Sequence, residues 1–262
     1  MTDPDSDRQN KHSRSVTVMT PDWPLPAGVR ACLTTRENGV SVGPWASGNL
    51  ADHVGDDSQA VLRNRQALQS QLDPVVTMAW LNQTHSTHCQ TLQFPLPTEP
   101  PQADASWTRE KGLACAVLTA DCAPILLTDE AGTMVAAVHA GWRGLANGIV
   151  AETLRALPVP VGALRAWIGP TICPAHFEVG PEVLAQFRAR FAQADAFFQP
   201  SHLDQPSHYL ANLPGLVKIA LLHEGVRDVT LSGLCTYADA DRFYSYRRDG
   251  QTGRQASLIW LT

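Results

Sequence analysis

LACAVLTADCAPILLTDEAGTMVAAVHAGWRG, residues 113–144, holds three strand-like runs in succession: LACAVLTA (113–120), APILLTD (123–129) and TMVAAVHA (133–140). Each is short, apolar and rich in Val, Ile, Leu or Ala, as expected of strands covered on both faces. The third run closes on His139 and passes at once into two glycines, Gly141 and Gly144, around Trp142 and Arg143. An imidazole at the end of a buried strand, followed by bare backbone and a guanidinium, calls for a reason beyond packing.

Outward from this stretch, LRAWIG (164–169), DVTLSGL (228–234) and ASLIWL (256–261) read as further strands. Helical patterns lie between and around them: SQAVLRNRQALQSQL (58–72), GLANGIVAETLRAL (144–157), PEVLAQFRARFAQ (181–193) and LPGLVKIALLHEGV (213–226). In the second, Leu145, Ile149, Leu154 and Leu157 fall near one face. Helices segregated among close-set strands predict a layered α/β or α+β sandwich. The proline-rich stretches at 21–28, 94–102 and 157–162 punctuate connections without forming a linker. One domain over residues 18–262 is therefore expected, behind a polar, disordered tail over residues 1–17.

With 262 residues the chain is long enough for a substantial core. Its 44% hydrophobic and 17% charged residues are globular proportions. A net charge of −5 argues against a nucleic-acid polymer as partner, while a few local arginines could still hold a small anion. The six cysteines are scattered, with no CxxC pair, which is not a disulfide framework. The N-terminal residues lack the apolar core of a signal peptide, and no run approaches the roughly 18 apolar residues that span a bilayer. These features predict a soluble cytoplasmic protein with reduced thiols and no membrane partner.

Three places set a metal-competent side chain at the end of a strand-like segment: His85 in LNQTHSTHC, Cys122 in LTADCAPILL and His139 in AAVHAGWRG. Separations of 37 and 17 residues rule out a local knuckle, so only the fold can gather them. Two imidazoles and a thiolate leave one tetrahedral position open, which is catalytic zinc in type. The plainer reading is that a lone buried Cys is a small hydrophobe and a lone His merely finds a hydrogen bond. Asp121, beside Cys122, is a charge in an apolar run and needs a partner if buried. Gly141 and Gly144 permit close backbone approach or unusual dihedrals. The segment GWRG reads as a strand-to-helix loop whose free amides, with Arg143, face an anion; the alternative for Arg143 is a surface salt bridge. FYSYRRDGQTGR (243–254), with Arg247 and Arg248, offers aromatic and guanidinium groups for a ring and a phosphate, or else a polar hairpin. TTRENGVSVGPWASGN (34–49) places Arg36, Ser47 and Asn49 in a similar loop-rich setting. No GxxxxGK[ST] loop, GxGxxG, HExxH or paired HxE and PCxxC signature occurs.

From residue 34 to the C-terminus the chain resembles the YfiH family. Its most specific blocks are TADCAPILL (119–127), VHAGWRG (138–144), IGPTICPAHFEVG (168–180) and FYSYRRDGQTGR. The family was described first as a laccase-like polyphenol oxidase and later as purine nucleoside phosphorylases with added adenosine deaminase activity. The resemblance implies a single-domain α/β/β/α sandwich. It also implies metal ligands at His85, Cys122 and His139, with zinc as the metal and copper as an alternative. Further implications are phosphorolysis of adenosine, inosine or methylthioadenosine, phosphate held by Arg143 and Arg36, and Asn49 orienting it. Asp121 would support the metal shell, Arg247 or Arg248 would stand at the pocket rim, and the protein would act as a monomer on small-molecule nucleoside and phosphate. Three blocks depart from the family pattern. Thr84 and Ser86 flank His85 where relatives commonly read QVHG; SGNLADHVGDD keeps Ser47, Asn49 and His53 in a block usually written SLNLGxHVGDD; and Asn212-Leu213 replaces Asp-Leu. Rival readings are copper-dependent phenol oxidation at the same trio, a metal-free cysteine hydrolase with Cys122 as nucleophile and His139 as base, and a nucleoside-binding module without turnover.

Overall fold

The computed structural model describes residues 15–201 and 207–262. Its strands are, in chain order, β1 (Val18–Met19), β2 (Val29–Thr34), β3 (Thr77–Ala79), β4 (Cys89–Thr91), β5 (Ala105–Thr108), β6 (Leu113–Thr119) and β7 (Ala123–Asp129). They continue as β8 (Val135–Ala140), β9 (Leu164–Ile168), β10 (Glu178–Val179), β11 (Phe198–Pro200), β12 (Tyr209–Ala211), β13 (Asp228–Leu231) and β14 (Gln255–Leu261). The α-helices are α1 (Ser58–Gln69), α2 (Trp142–Asn147), α3 (Ile149–Ala156), α4 (Pro181–Arg188), α5 (Leu213–His223) and α6 (Tyr246–Asp249).

Two sheets carry the architecture. One runs β1-β2-β14-β6-β3 and the other β13-β9-β7-β8-β5-β4, with a small β10-β12-β11 sheet beside them. The period-2 alternation of each central strand sorts its side chains between layers. Cys115 and Val117 of β6, Leu126 of β7, Val135 and Ala137 of β8 and Ile259 of β14 meet in one core between the sheets. The opposite face of the six-stranded sheet, including Ile125, Leu127, Ala136 and Val138, packs under Ile149 and Leu154 of α3, Phe187 of α4 and Leu216 of α5. The opposite face of the five-stranded sheet, including Ala116, Leu118 and Leu258, packs under Leu68 of α1. The layers are therefore α/β/β/α, and β6, β7 and β8 are buried at every position, as their unbroken apolar runs require.

The chain passes from one sheet to the other between β6 and β7, at residues 120–122. That crossing sets Asp121 and Cys122 at one end of the sandwich, and β8, antiparallel to β7 with Pro124 opposite His139, brings His139 to the same end. The helical pattern at 144–157 is two helices: Gly148, at φ 104°, closes α2 and begins α3. A Cβ there would also stand 2.7 Å from the Arg190 guanidinium, so glycine answers both the dihedral and the space.

The GWRG segment is not the expected loop, since Trp142 already opens the six-residue α2. FYSYRRDGQTGR is likewise no hairpin: Ser245 caps the short α6, accepting from the Arg248 amide, and the chain then turns into β14. Asn212 caps α5 by accepting from the Gly215 amide at 2.9 Å, a role that Asp performs equally well, so this departure from the family pattern changes no contact. Of the expected tail, residues 1–14 lie outside the described residues; Val16 is fully buried and the Thr17 carbonyl accepts from the Thr35 amide. Among the described residues no helix is long and apolar enough to cross a membrane.

Candidate metal centre and nucleoside pocket

His85, Cys122 and His139 converge as the spacing alone could not show. Their ligand atoms all lie within 4.8 Å of one another, and Cys122 Sγ stands 3.7 Å from His85 Nε2. Bond lengths of about 2.3 Å to sulfur and 2.0–2.1 Å to nitrogen in a tetrahedral site put such a pair about 3.6 Å apart. The donor types, and the spacing of the Cys122–His85 pair, thus fit a divalent metal. The Gly141 backbone packs directly on His85 and Cys122. A Cβ on Gly141 would lie 2.6 Å from His85 Cδ2 and 2.9 Å from Cys122 Sγ. Gly141 has φ −71°, so close approach is the sole reason for glycine here.

A carboxylate that sequence reasoning missed holds the cluster together. Asp104, fully buried just before β5, takes the His139 Nδ1–H on Oδ1 at 2.8 Å. That bond leaves His139 Nε2 as the free ring nitrogen. The same carboxylate accepts from the Thr84, His85 and Ser86 amides at 3.2, 3.0 and 2.6 Å and from the Ser86 hydroxyl at 2.8 Å. Three successive amides wrapped on one anion form a nest, which accounts for His85 at φ 60°. Ser86, one of the departures from the family pattern, thus adds a bond to this anchor. The only local signal was an acidic residue at the edge of the ASWT run, whose partner His139 is 35 residues away.

Without a metal, Cys122 and His139 form a thiolate–imidazolium pair. Burial pushes the Cys122 thiol up, but the His139 charge and hydrogen bonds from His139 and His85 outweigh it and bring the pKa to about 6. Burial pushes His139 down, and the Cys122 thiolate with the Asp104 carboxylate reverses this to about 9. Cys89, near in sequence, is driven up to about 12 by burial and stands outside the cluster, as does His88.

The cluster forms one wall of a cavity of about 480 Å³, within the range of small-ligand sites. Arg143, Arg247 and Arg254 line it, with Trp142, Phe177 and Tyr246 as its aromatic surface. Arg143 is exposed and lies over the Trp142 ring, its guanidinium 4.5 Å from the ring centroid. It makes no salt bridge with the described residues. Arg247 donates from Nη1 to the Glu178 carbonyl at 2.6 Å beside Phe177.

Other expected residues do structural work; Asp121 also lines the cavity, whereas Arg36, Ser47, Asn49 and Arg248 do not. Asp121 is buried at φ 95°, and its carboxylate accepts from the Thr236 hydroxyl and the Arg247 amide, both at 2.7 Å, away from the trio. The support expected of Asp121 is given by Asp104. Arg36 spends its donors on the Ala46 and Ala240 carbonyls and lies over Tyr244. Ser47 bridges the Gly39 amide and the Arg36 carbonyl. Arg248 is consumed by Asp249 and the carbonyls of Thr236, Tyr237 and Phe243. Buried Asn49 bonds Asp56, Ala51 and, through Oδ1, the Arg254 amide at 2.9 Å; it reaches the pocket only by holding Arg254. Arg254 itself was visible in FYSYRRDGQTGR, but nothing local set it apart from Arg247 and Arg248.

The model of a family described as multi-copper polyphenol oxidoreductase laccase matches residues 30–262. The chain belongs to that family. Curated relatives include a purine nucleoside phosphorylase of Pseudomonas aeruginosa, 48% identical over 93% of this chain and 98% of the relative. The purine nucleoside phosphorylase YfiH of Escherichia coli is 42% identical over 93% of this chain and 98% of its own. Among solved structures, a Neisseria meningitidis protein of the DUF152 family aligns with TM-score 0.87 at 45% identity, covering 93% of this chain and 98% of that one. YlmD from Geobacillus stearothermophilus aligns with TM-score 0.81 at 30% identity, over 91% and 94%. The resemblance read from the four sequence blocks is thereby borne out, and this family member carries its three candidate ligands in the wall of one pocket.

Proposed function

We propose that this protein is a purine nucleoside phosphorylase working at a zinc site formed by His85, Cys122 and His139. The observation that carries the reading is the juxtaposition of that trio with cationic and aromatic side chains in one cavity, in a chain whose relatives are named for this activity. In this reading residues 18–262 act as one catalytic domain, as a monomer, on free nucleoside and inorganic phosphate. Free thiols at all six cysteines fit the cytoplasm.

Phenylalanine and tyrosine rings at Phe177 and Tyr246 give the purine a face to stack on, and Ile172 and Leu118 keep water from the reacting bond. Arg143 brings an unspent guanidinium to the phosphate. A phosphate oxygen then bonds to the anomeric carbon while the glycosidic C–N bond breaks. The bonding pair leaves with the base, the proton of hydrogenphosphate ends on the base, and ribose 1-phosphate remains. Holding both reactants in one enclosed site supplies much of the rate. The metal, when bound, supplies Lewis acidity at the pocket wall. The same acidity supports a side activity as adenosine deaminase.

Chromatography of products from adenosine and phosphate with zinc-loaded protein should show phosphate-dependent adenine, absent from a Cys122→Ala control. Inosine alone would demote the protein to a deaminase, and neither product would end the nucleoside reading. Arg143→Ala should raise the KM for phosphate about 10-fold through loss of one charged hydrogen bond; an unchanged phosphate KM would remove Arg143 from the reaction.

Copper-dependent phenol oxidation is favoured by the family's description and by a donor set that also suits copper. Against it, the described residues hold one three-ligand cluster and no second copper site. Oxygen uptake with a phenol by copper-loaded protein separates the two readings.

A further inference from the structure

A second compartment of about 350 Å³ adjoins the main pocket: it shares His53, Tyr246 and Arg254 with it and is walled by Gly250, Gln251 and Thr252. Arg254 is the half-buried cation at the junction. Its Nη1 donates to the Thr252 and Gly253 carbonyls, both at 2.9 Å, and no acceptor among the described residues meets Nε or Nη2. No carboxylate among the described residues lies within ion-pair distance of it; Cys122 and Asp121 act on it only at longer range. A half-buried guanidinium left without a counter-charge is costly unless something else supplies one. Its backbone is rigid, since Asn49 Oδ1 fixes its amide and the Leu50 amide holds its carbonyl. Across the junction stands exposed His53, whose ring is paired only loosely with Asp52 at 3.6 Å. In the compartment wall the buried Thr252 hydroxyl has no partner among the described residues.

We infer that Arg254, with His53 facing it, is the seat of the tetrahedral oxyanion: inorganic phosphate docks at the junction of the two compartments, on the free Nε–H and Nη2–H edge. This inference rests on the phosphorylase reading for its turnover arm only. That edge offers two parallel donors, the fork that suits a phosphate oxygen pair and that a lysine cannot reproduce. Arg143, an exposed residue lining the main cavity, adds a second guanidinium to the grip. Arg247 lines the main pocket but not the smaller cavity, so it does not stand at the junction.

The test measures phosphate binding without nucleoside, by calorimetric titration of inorganic phosphate into zinc-loaded protein, and phosphorolysis separately. Arg254→Gln should weaken phosphate binding and raise its KM roughly 10- to 100-fold, as loss of charged hydrogen bonds predicts, while the KM for adenosine changes less than twofold. Arg254→Lys should recover only part of the loss. Should Arg254→Gln fail to fold, His53→Ala, at an exposed position, carries the test with an expected weakening of several-fold. Phosphate binding by Arg254→Gln or His53→Ala equal to wild type overturns the seat even if the enzyme is a phosphorylase. Wild-type binding that Arg254→Gln abolishes, in a protein that releases no base, upholds the seat and sinks the phosphorylase reading instead.

Discussion

Gly141→Ala should leave the protein folded and without its metal. The new Cβ would stand 2.6 Å from His85 Cδ2 and 2.9 Å from both His85 Nε2 and Cys122 Sγ, closer than real contacts of this kind. The Gly141 carbonyl accepts from the Leu145 amide and begins α2, so the backbone cannot retreat without unwinding that turn. The imidazole of His85 must therefore swing out, which removes one of three ligands. Overpacking of this kind costs about 1–3 kcal/mol, which a chain of this size survives. Metal content after dialysis should fall from one per chain to near zero. Activity should fall below about one hundredth of wild type, since losing even an outer partner of a ligand costs 10- to 100-fold. Gly162→Ala is the matched control, because a Cβ there meets nothing within 4 Å. One tightly held metal per chain in Gly141→Ala would refute the proposed ligand set.

Asp104→Ala should be the most destabilising single substitution at the site. It strands the buried His139 Nδ1–H and the part-buried amides of Thr84, His85 and Ser86, each of which had an ionised acceptor. Removing one partner of such a buried charged network costs about 3–5 kcal/mol. A loss of that size lowers the melting temperature by roughly 10 °C. Asp104→Asn is the more informative variant. Its single oxygen can serve either His139 or the amide nest, and its NH₂ repels the other. Its expected signature is weaker metal affinity by about 10- to 100-fold with a smaller loss of melting temperature. A purely structural Asp104 would give the reverse: a lower melting temperature measured without metal, and an unchanged metal affinity.

The two predictions concern residues of opposite legibility. Gly141 stood in the first stretch of sequence that drew attention, and close backbone approach was one of its two expected reasons. Asp104 drew none, because its role depends on His139 and on a loop that folds back to it. The arginines tell the same story. Arg36, Arg143, Arg247, Arg248 and Arg254 are alike in sequence, and what separates them is how many of their donors neighbouring carbonyls and carboxylates consume. Arg248 has its donors taken by three carbonyls and Asp249, whereas among the described residues Arg143 makes no such bond and Arg254 keeps one edge open.

By itself the sequence determined the layered fold, because β6, β7 and β8 are buried on both faces and must therefore be written as continuous apolar runs. It also determined the helices over 58–72, 181–193 and 213–226 to within a turn or so at their ends, and singled out three metal-competent side chains, although His85 lies in the loop between β3 and β4 and not at a strand end. Tertiary structure alone decided that His85 joins Cys122 and His139, that Asp104 and not Asp121 anchors them, and which arginines face the cavity. Apolar periodicity is a local property, set by the layer a residue must enter. The use of a polar side chain is settled only when distant segments have claimed, or left open, its hydrogen-bonding edges.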